Sequence, residues 1–562
     1  MDYYDLGSYH KRVSTTRKEA QIWFDRGLIW TYGFNHEEAA DCFEKAIASD
    51  ADCAMAYWGL ALVLGPNYNK PWGTFDKEEM KRTVDRCHKA LVSATALHHT
   101  ATEVEGALIN ALQYRYPSQA PLENFSTWNQ KYANAMEKVY YRFGDDLDVA
   151  TLYVDALMNL TPWQLWDLKT GEPAEGSRTL DAKAAIEKGL STEDGVNHPG
   201  LIHLYIHLME MSPTPEVALT VADRLRGLVP DSGHLNHMPT HLDILCGDYR
   251  RAIASNSRAI LADKRYLAKA GPLNFYTLYR LHNYHFRIYA AMFSGQSKIA
   301  LETISEAEVS VPEELLRVKS PPMADWLEGF LGMRVHILIR FGLWQDLIDL
   351  KLPSDQALYC TTTALMHYGK GVAFAATGNI NEAAKQRNLF GAAVERVPES
   401  RTLFNNKCID ILAVAAAMLK GEISYRQAKY DDAFAALKQA INLEDSLPFD
   451  EPWGWMQPTR HAYGALLLEQ GHLDAAAAVY AADLGFDSTL PRPLRHPNNV
   501  WSLHGYHECL VRLGRDAEAR IVEPQLRLAL AIADVPVRSS CFCRIQPVRK
   551  CASMGNCQSS GE

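Results

Sequence analysis

A spacing of 34 residues constrains this chain more than any other feature. Residues 21–54 place Trp23, Gly27, Trp30, Ala39, Phe43 and Ala46 at helical intervals, and Tyr57, 34 residues after Trp23, restarts the pattern with Leu60 and Ala61. Small residues such as Gly27 and Ala39 let two paired helices approach closely, while the aromatic rings fill the space beside them. The set returns at Gly371, Phe374, Gly378 and Ala383, at Gly421, Ala433, Leu437 and Ala440, and at Gly464, Leu467, Gly471, Ala476 and Tyr480. Trp501 and Gly505 open a looser copy at 500–530, two residues too long downstream. Alternating strand patterns are scarce, and short turns with Gly, Asn or Asp join helices of roughly a dozen residues. The expectation is an all-α chain of antiparallel helix pairs.

These units resemble tetratricopeptide repeats, and the resemblance covers most of residues 21–530. It implies an α-solenoid with a concave groove, where such proteins usually hold ligands. Residues 1–20 are then an N-terminal extension. Residues 531–562, with Cys541, Cys543, Cys551 and Cys557, read as a disordered tail: the CxC and its irregular gaps lack the paired CxxC of usual zinc modules.

Twenty histidines occur in 562 residues, yet six crowd into residues 198–241. In the numbering of the repeat family, His203, His207 and Glu210 take places 5, 9 and 12 of a first helix. His234, His237 and His241 take places 2, 5 and 9 of the next, and His282 and His285 take places 2 and 5 of a third. His203 to His237 and His207 to His241 are each 34 residues. Places 2, 5, 9 and 12 lie at i, i+3 and i+4 steps and share one face, which lines the groove. Seven of the twelve such places in these repeats are histidine, where the chain's overall frequency predicts fewer than one. His336 falls at place 9 of a fourth unit and reads as packing; His367 falls at place 4 and reads as core.

Two histidines at i, i+4 can aim both rings at one ion, and neighbouring helices about 8–10 Å apart let two such pairs meet. The expected ligands to a divalent transition metal are His203, His207, His237 and His241, with His234 assisting. His198, His282 and His285 are candidates for a second shell or second site, and Glu210 for general base, ligand or orienter. Zinc leads, with copper or iron as alternatives, since imidazole suits all three. Water-based hydrolytic or lyase chemistry and oxidation both remain open. A metal-free histidine groove for a polar ligand and purely structural histidines are the competing readings. The spacing does not match HExxH, so ordinary metallopeptidase activity is not implied.

The segments NHPGLIHLYIHLME, GHLNHMPTHLDILCGDY and ALMHYGKGVAFAATGNINEA resemble microbial tetratricopeptide proteins of bacteria and fungi, some of the fungal ones set among natural-product genes. That resemblance implies the fold and carries no named activity or substrate; the fungal members make secondary metabolism one setting for it, and the histidine-lined groove is read as acting on a small organic molecule. The alternative is a non-catalytic scaffold that binds a peptide or partner protein. A net charge of −10 without a basic run argues against nucleic acid. The polar N-terminus, scattered cysteines and absence of eighteen uninterrupted apolar residues predict a cytoplasmic chain with reduced thiols and no membrane span. Three aromatic or proline-rich stretches stand out. GPNYNKPW (65–72) is a loop over the groove or a plain turn. PFDEPWGWMQPTRH (448–461) is a pocket wall or packing, and LPRPLRHPNNVW (490–501) is a linker.

Overall fold

The structure, a computed structural model, describes residues 3–122 and 124–544. Helices follow one another in antiparallel pairs: Lys18–Tyr32 packs on His36–Ser49, Cys360–Ala376 on Ile380–Val394, Cys408–Arg426 on Tyr430–Asp445, and Val500–Arg512 on Asp516–Ile532. Regular strand among the described residues is confined to Thr402–Leu403 and Asn406–Lys407, a two-stranded antiparallel pair. The fold is an all-α, tetratricopeptide-type solenoid. None of the described helices is long and apolar enough to cross a membrane.

Ring-against-glycine contacts explain the 34-residue pattern. Phe43 is wedged between Gly27 of its own pair and Gly59 of the next; a Cβ there would lie 2.9 and 2.4 Å from the ring. Tyr480 sits in the same way between Gly464 and Gly505, at 2.6 and 2.3 Å. A methyl group at such a site must push a buried ring aside. Gly59→Ala is therefore expected to cost about 1–3 kcal/mol, read as a lower urea midpoint. An unchanged midpoint would contradict the packing.

The solenoid closes on itself. Asp5 N–H donates to Asp231 (2.8 Å), Phe275 N–H to Glu37, Ser320 to Asp76 (2.9 Å), Tyr249 to the Pro497 carbonyl (3.0 Å) and Arg340 to the Ser540 carbonyl (2.9 Å). The coil thus brings segments 200 to 248 residues apart against each other, and much of the expected groove becomes an interior.

The structure places the N-terminal extension, and two further stretches differ from the sequence reading. The extension is pinned to the body by Tyr9, whose hydroxyl donates to Asp148 (2.5 Å). The proposed linker at 490–501 is packed because buried Asp483 draws it in: His496 Nδ1 (2.8 Å), Asn499 Nδ2 (3.0 Å) and Ser502 Oγ (2.6 Å) all converge on that carboxylate. Residues 537–544 of the expected disordered tail dock on late repeats. Ser540 is buried and shares a hydrogen bond with Tyr480 (2.6 Å), and Cys541 and Cys543 form a disulfide. Cys551 and Cys557 lie outside the described residues. The seven scattered cysteines are free thiols, six of them buried.

Candidate metal centre

Three helical segments carry the imidazoles inward. Helix Pro199–Glu210 starts on a proline, whose missing N–H costs nothing in the first turn, and is N-capped by His198, whose Nδ1 accepts from Leu201 N–H (3.2 Å). His203, His207 and Glu210 follow on its inner face. Gly233–His237 and Pro239–Leu245 bring the next set. Pro239 interrupts the hydrogen-bond ladder, yet Met238 keeps helical angles (φ −48°, ψ −42°), so the path continues and the i, i+4 relation of His237 and His241 survives. Helix Thr277–Phe293 supplies His282.

Two triads result. His203, His207 and His234 form one, and His237, His241 and His282 the other; the ligand atoms of each lie within 4.8 Å of one another, and all six residues are buried. His207, Glu210 and His241 form a third group that joins them. The Nε2 atoms of His203 and His234 are 3.1 Å apart, and those of His237 and His241 are 2.8 Å apart.

Partners on the far side of the rings set the tautomers. His203 Nδ1–H donates to the Tyr32 carbonyl (2.5 Å). His237 Nδ1–H donates to Asn256 Oδ1 (2.7 Å); the amide orientation is fixed because its Nδ2 donates to the Ala252 carbonyl (2.9 Å). With a cation bound, Glu210 would be ionised and accept from His207 Nδ1–H (3.0 Å) and His241 Nδ1–H (2.6 Å). Four imidazoles then turn a bare Nε2 inward, and buried His207 Nε2 has no hydrogen-bond partner at all. Lone pairs facing each other at 2.8 Å repel unless a cation lies between them. Outer acceptors that hold a ligating histidine by its other nitrogen are the usual surroundings of a metal.

The electrostatics agree with that geometry. Burial pushes His203 down to about 4 and His237 to about 3, and burial plus neighbouring imidazoles push His207, His234, His241 and His282 well below the ordinary value. Beside them Glu451 lies against His241 Nδ1 and Glu210. Burial, then the nearness of Glu451, pushes Glu210 well above the usual carboxylate range, and burial pushes Glu451 up too. Neutral imidazoles and unwilling carboxylates in one dry site are both relieved by inserted positive charge.

The surrounding wall is held under strain. Phe34, Trp163 and Phe404 are three of the five described non-glycine residues with positive φ (54°, 60° and 47°). All three rings pack on the histidines: Phe34 at 4.4 Å from His203, Trp163 at 5.8 Å from His207 and Phe404 at 4.6 Å from His282. Phe34 stands where later repeats place a turn glycine, such as Gly247 (φ 77°) and Gly378 (φ 86°). Left-handed backbone at a bulky residue costs of order 1–3 kcal/mol and gathers at functional sites.

The structure sorts the residues predicted from sequence. It gathers His203, His207, His237 and His241, makes His234 and His282 full members of the two triads, and sets Glu210 behind the rings. His285 does not join: it packs on Phe330 (5.5 Å) and neither ring nitrogen has a partner. His198 does not join either, because capping its helix and pairing with Tyr9 (2.9 Å) and Asp148 (3.3 Å) turn its ring away. His336 packs on Trp455 (4.8 Å), and His367 bonds Gln386 of the partner helix (2.8 Å). Sequence reasoning missed Glu451, Asn256 and Phe34. Only Phe34 left a local signal, as an aromatic residue in a glycine's place.

No family model matches the chain, and no curated protein does. Solved structures similar to it include the APC/C hetero-tetramer Cut9-Hcn1, at 14% identity over 91% of this chain and 76% of that one with a TM-score of 0.31. Another is Naa15/Naa10 bound to HypK-THB, at 14% over 92% and 71% with a TM-score of 0.22. A monomeric IFIT1 mutant with Gppp-AAAA follows at 13% over 84% and 90%, TM-score 0.33. Likenesses of this size say nothing about what this chain binds or does.

Proposed function

We propose that the protein is a metalloenzyme that holds two transition-metal ions, one in each histidine triad, and acts on a small organic molecule beside them. The observation that carries this reading is the convergence of six buried imidazoles into two triads, with the opposite nitrogens of four of them set against Tyr32, Asn256 and Glu210. An all-imidazole shell suits zinc or copper better than magnesium, calcium or manganese. Zinc would supply activated water for hydrolytic or lyase chemistry, and copper would supply oxidation. The protein's own contribution is to orient the six rings, keep them neutral and exclude bulk water. A non-catalytic scaffold would need its concave face open to a peptide, whereas here Phe34, Tyr68 and the 448–457 segment cover the histidines, which are 8% exposed or less.

Elemental analysis of the untagged protein is expected to give two equivalents of zinc or copper per chain. Folded protein that neither contains nor takes up such ions would overturn the reading. The depressed pKa of the imidazoles adds a pH test. A proton competes for each Nε2 only once the pH falls toward the folded value, about 4 for His203 and about 3 for His237. The ions are therefore expected to survive dialysis at pH 5. Release near pH 6.5, where an exposed histidine titrates, would show that the rings are accessible.

A further inference from the structure

The two triads differ in what can reach them. A cavity of about 380 Å³ has His241 and His282 of the second triad among its lining residues and no histidine of the first. Gly73, Thr74, Ser400 and Asn405 also line it and are exposed, so it opens to solvent on that side. His282 is 8% exposed, whereas His203, His207 and His234 are at most 1% exposed.

Rings close the first triad. Phe34 lies 4.4, 5.9 and 5.6 Å from the rings of His203, His207 and His234. Tyr68 covers His207 at 4.9 Å. Trp163 packs on Tyr68 (5.1 Å) and on His207 (5.8 Å) and lines the cavity too, so its indole stands between the cavity and the first triad. A second space touches this triad at His203, but it holds only about 40 Å³. That is room for a few waters and for no organic molecule.

The larger cavity is within the range of sites for small organic ligands. Six rings wall it: Phe75, Trp163, Phe275, Tyr279, Trp326 and Phe404. Rings in contact gain from offset or edge-on stacking beyond the area they bury, which favours a flat aromatic guest. Charged side chains of both signs lie about the cavity, Asp76, Asp325 and Asp450 in its lining and Lys70 over Phe75 (4.5 Å) and Phe275 (4.2 Å). Shape, not one sign of charge, is what this wall selects.

We infer that the two ions have different tasks. The ion on His237, His241 and His282 is the one a substrate meets, and the ion on His203, His207 and His234 is closed off from it. The substrate is a flat aromatic molecule that presents an oxygen or nitrogen donor to the accessible ion. The inference rests on the metalloenzyme reading and names the working site and the substrate class for it.

Calorimetry on the full chain as purified tests this, with benzohydroxamic, acetohydroxamic and cyclohexanecarbohydroxamic acids as probes. All three present the same oxygen donors, and only the first carries a flat ring. Benzohydroxamic acid is expected to bind about tenfold more tightly than acetohydroxamic acid and about threefold more tightly than the cyclohexane analogue. Protein stripped with a chelator should lose that binding. His282→Ala and His234→Ala should each keep one equivalent of metal, yet only His234→Ala should still bind benzohydroxamic acid. Trp326→Ala, on a half-buried ring, should keep both equivalents and bind about threefold more weakly. Metal content is measured on the same samples. Binding that survives in His282→Ala, that is lost in His234→Ala, or that shows no preference for the flat ring would overturn the inference, while two measured equivalents leave the metalloenzyme reading standing. A chain that neither contains nor takes up metal would overturn both.

Discussion

His234→Ala and His282→Ala are each expected to leave one equivalent of metal where the wild-type chain holds two. Each substitution removes one of three imidazoles from a different triad, and a two-coordinate remnant holds an ion far more weakly than a three-coordinate site. The controls come from the residues that the structure separates from the triads. His285→Ala and His198→Ala should keep both equivalents, although sequence spacing alone placed both histidines near the metal. Full retention in His234→Ala and His282→Ala, or loss in the two controls, would contradict the assignment.

Glu210→Gln is expected to change metal affinity and metal-free stability in opposite directions. A carboxylate accepts from both His207 and His241, at 3.0 and 2.6 Å; an amide offers one acceptor and turns a donor toward the other ring. Disturbing an outer partner of this kind usually lowers metal affinity 10–100-fold, about 1.4–2.7 kcal/mol. In the metal-free protein the same change removes a titrating group crowded against Glu451, and replacing an ill-compensated buried charge is often neutral or stabilising. Chelator titration should therefore show weaker binding while the metal-free melting temperature holds or rises. If Glu210 were instead a direct ligand through the joining group with His207 and His241, the variant would lose a whole equivalent. Unchanged affinity would mean that Glu210 orients nothing.

The solenoid was legible because its determinants are local. A ring such as Phe43 must meet a small residue on its own pair and another on the next, which prints a 34-residue interval into the chain. The histidine face was legible for the same reason, since matching places in consecutive repeats carry His203 with His237 and His207 with His241. How the rings divide into triads was not. That depends on the twist between repeats, which turns His282 toward His237 and His241 and leaves His285, three residues on, facing Phe330.

Long-range closure hid the rest. Glu451 reaches Glu210 and His241 only because the solenoid curls back on itself, and nothing in PFDEPWGWM announces that destination. Ser540 and its neighbours looked polar and unstructured, yet the same curl offers them Arg340 and Tyr480. The expected open groove became a largely covered interior by this route, so the histidines read more as a centre to be filled than as a surface to be touched.

The most direct test is a crystal of the untagged protein measured on either side of the absorption edge of the metal found by elemental analysis. The account predicts two anomalous peaks. One would lie about 2.0–2.1 Å from Nε2 of His203, His207 and His234, and the other at that distance from Nε2 of His237, His241 and His282, as imidazole ligation requires. A map without peaks, with the six rings closed on one another through hydrogen bonds alone, would contradict it.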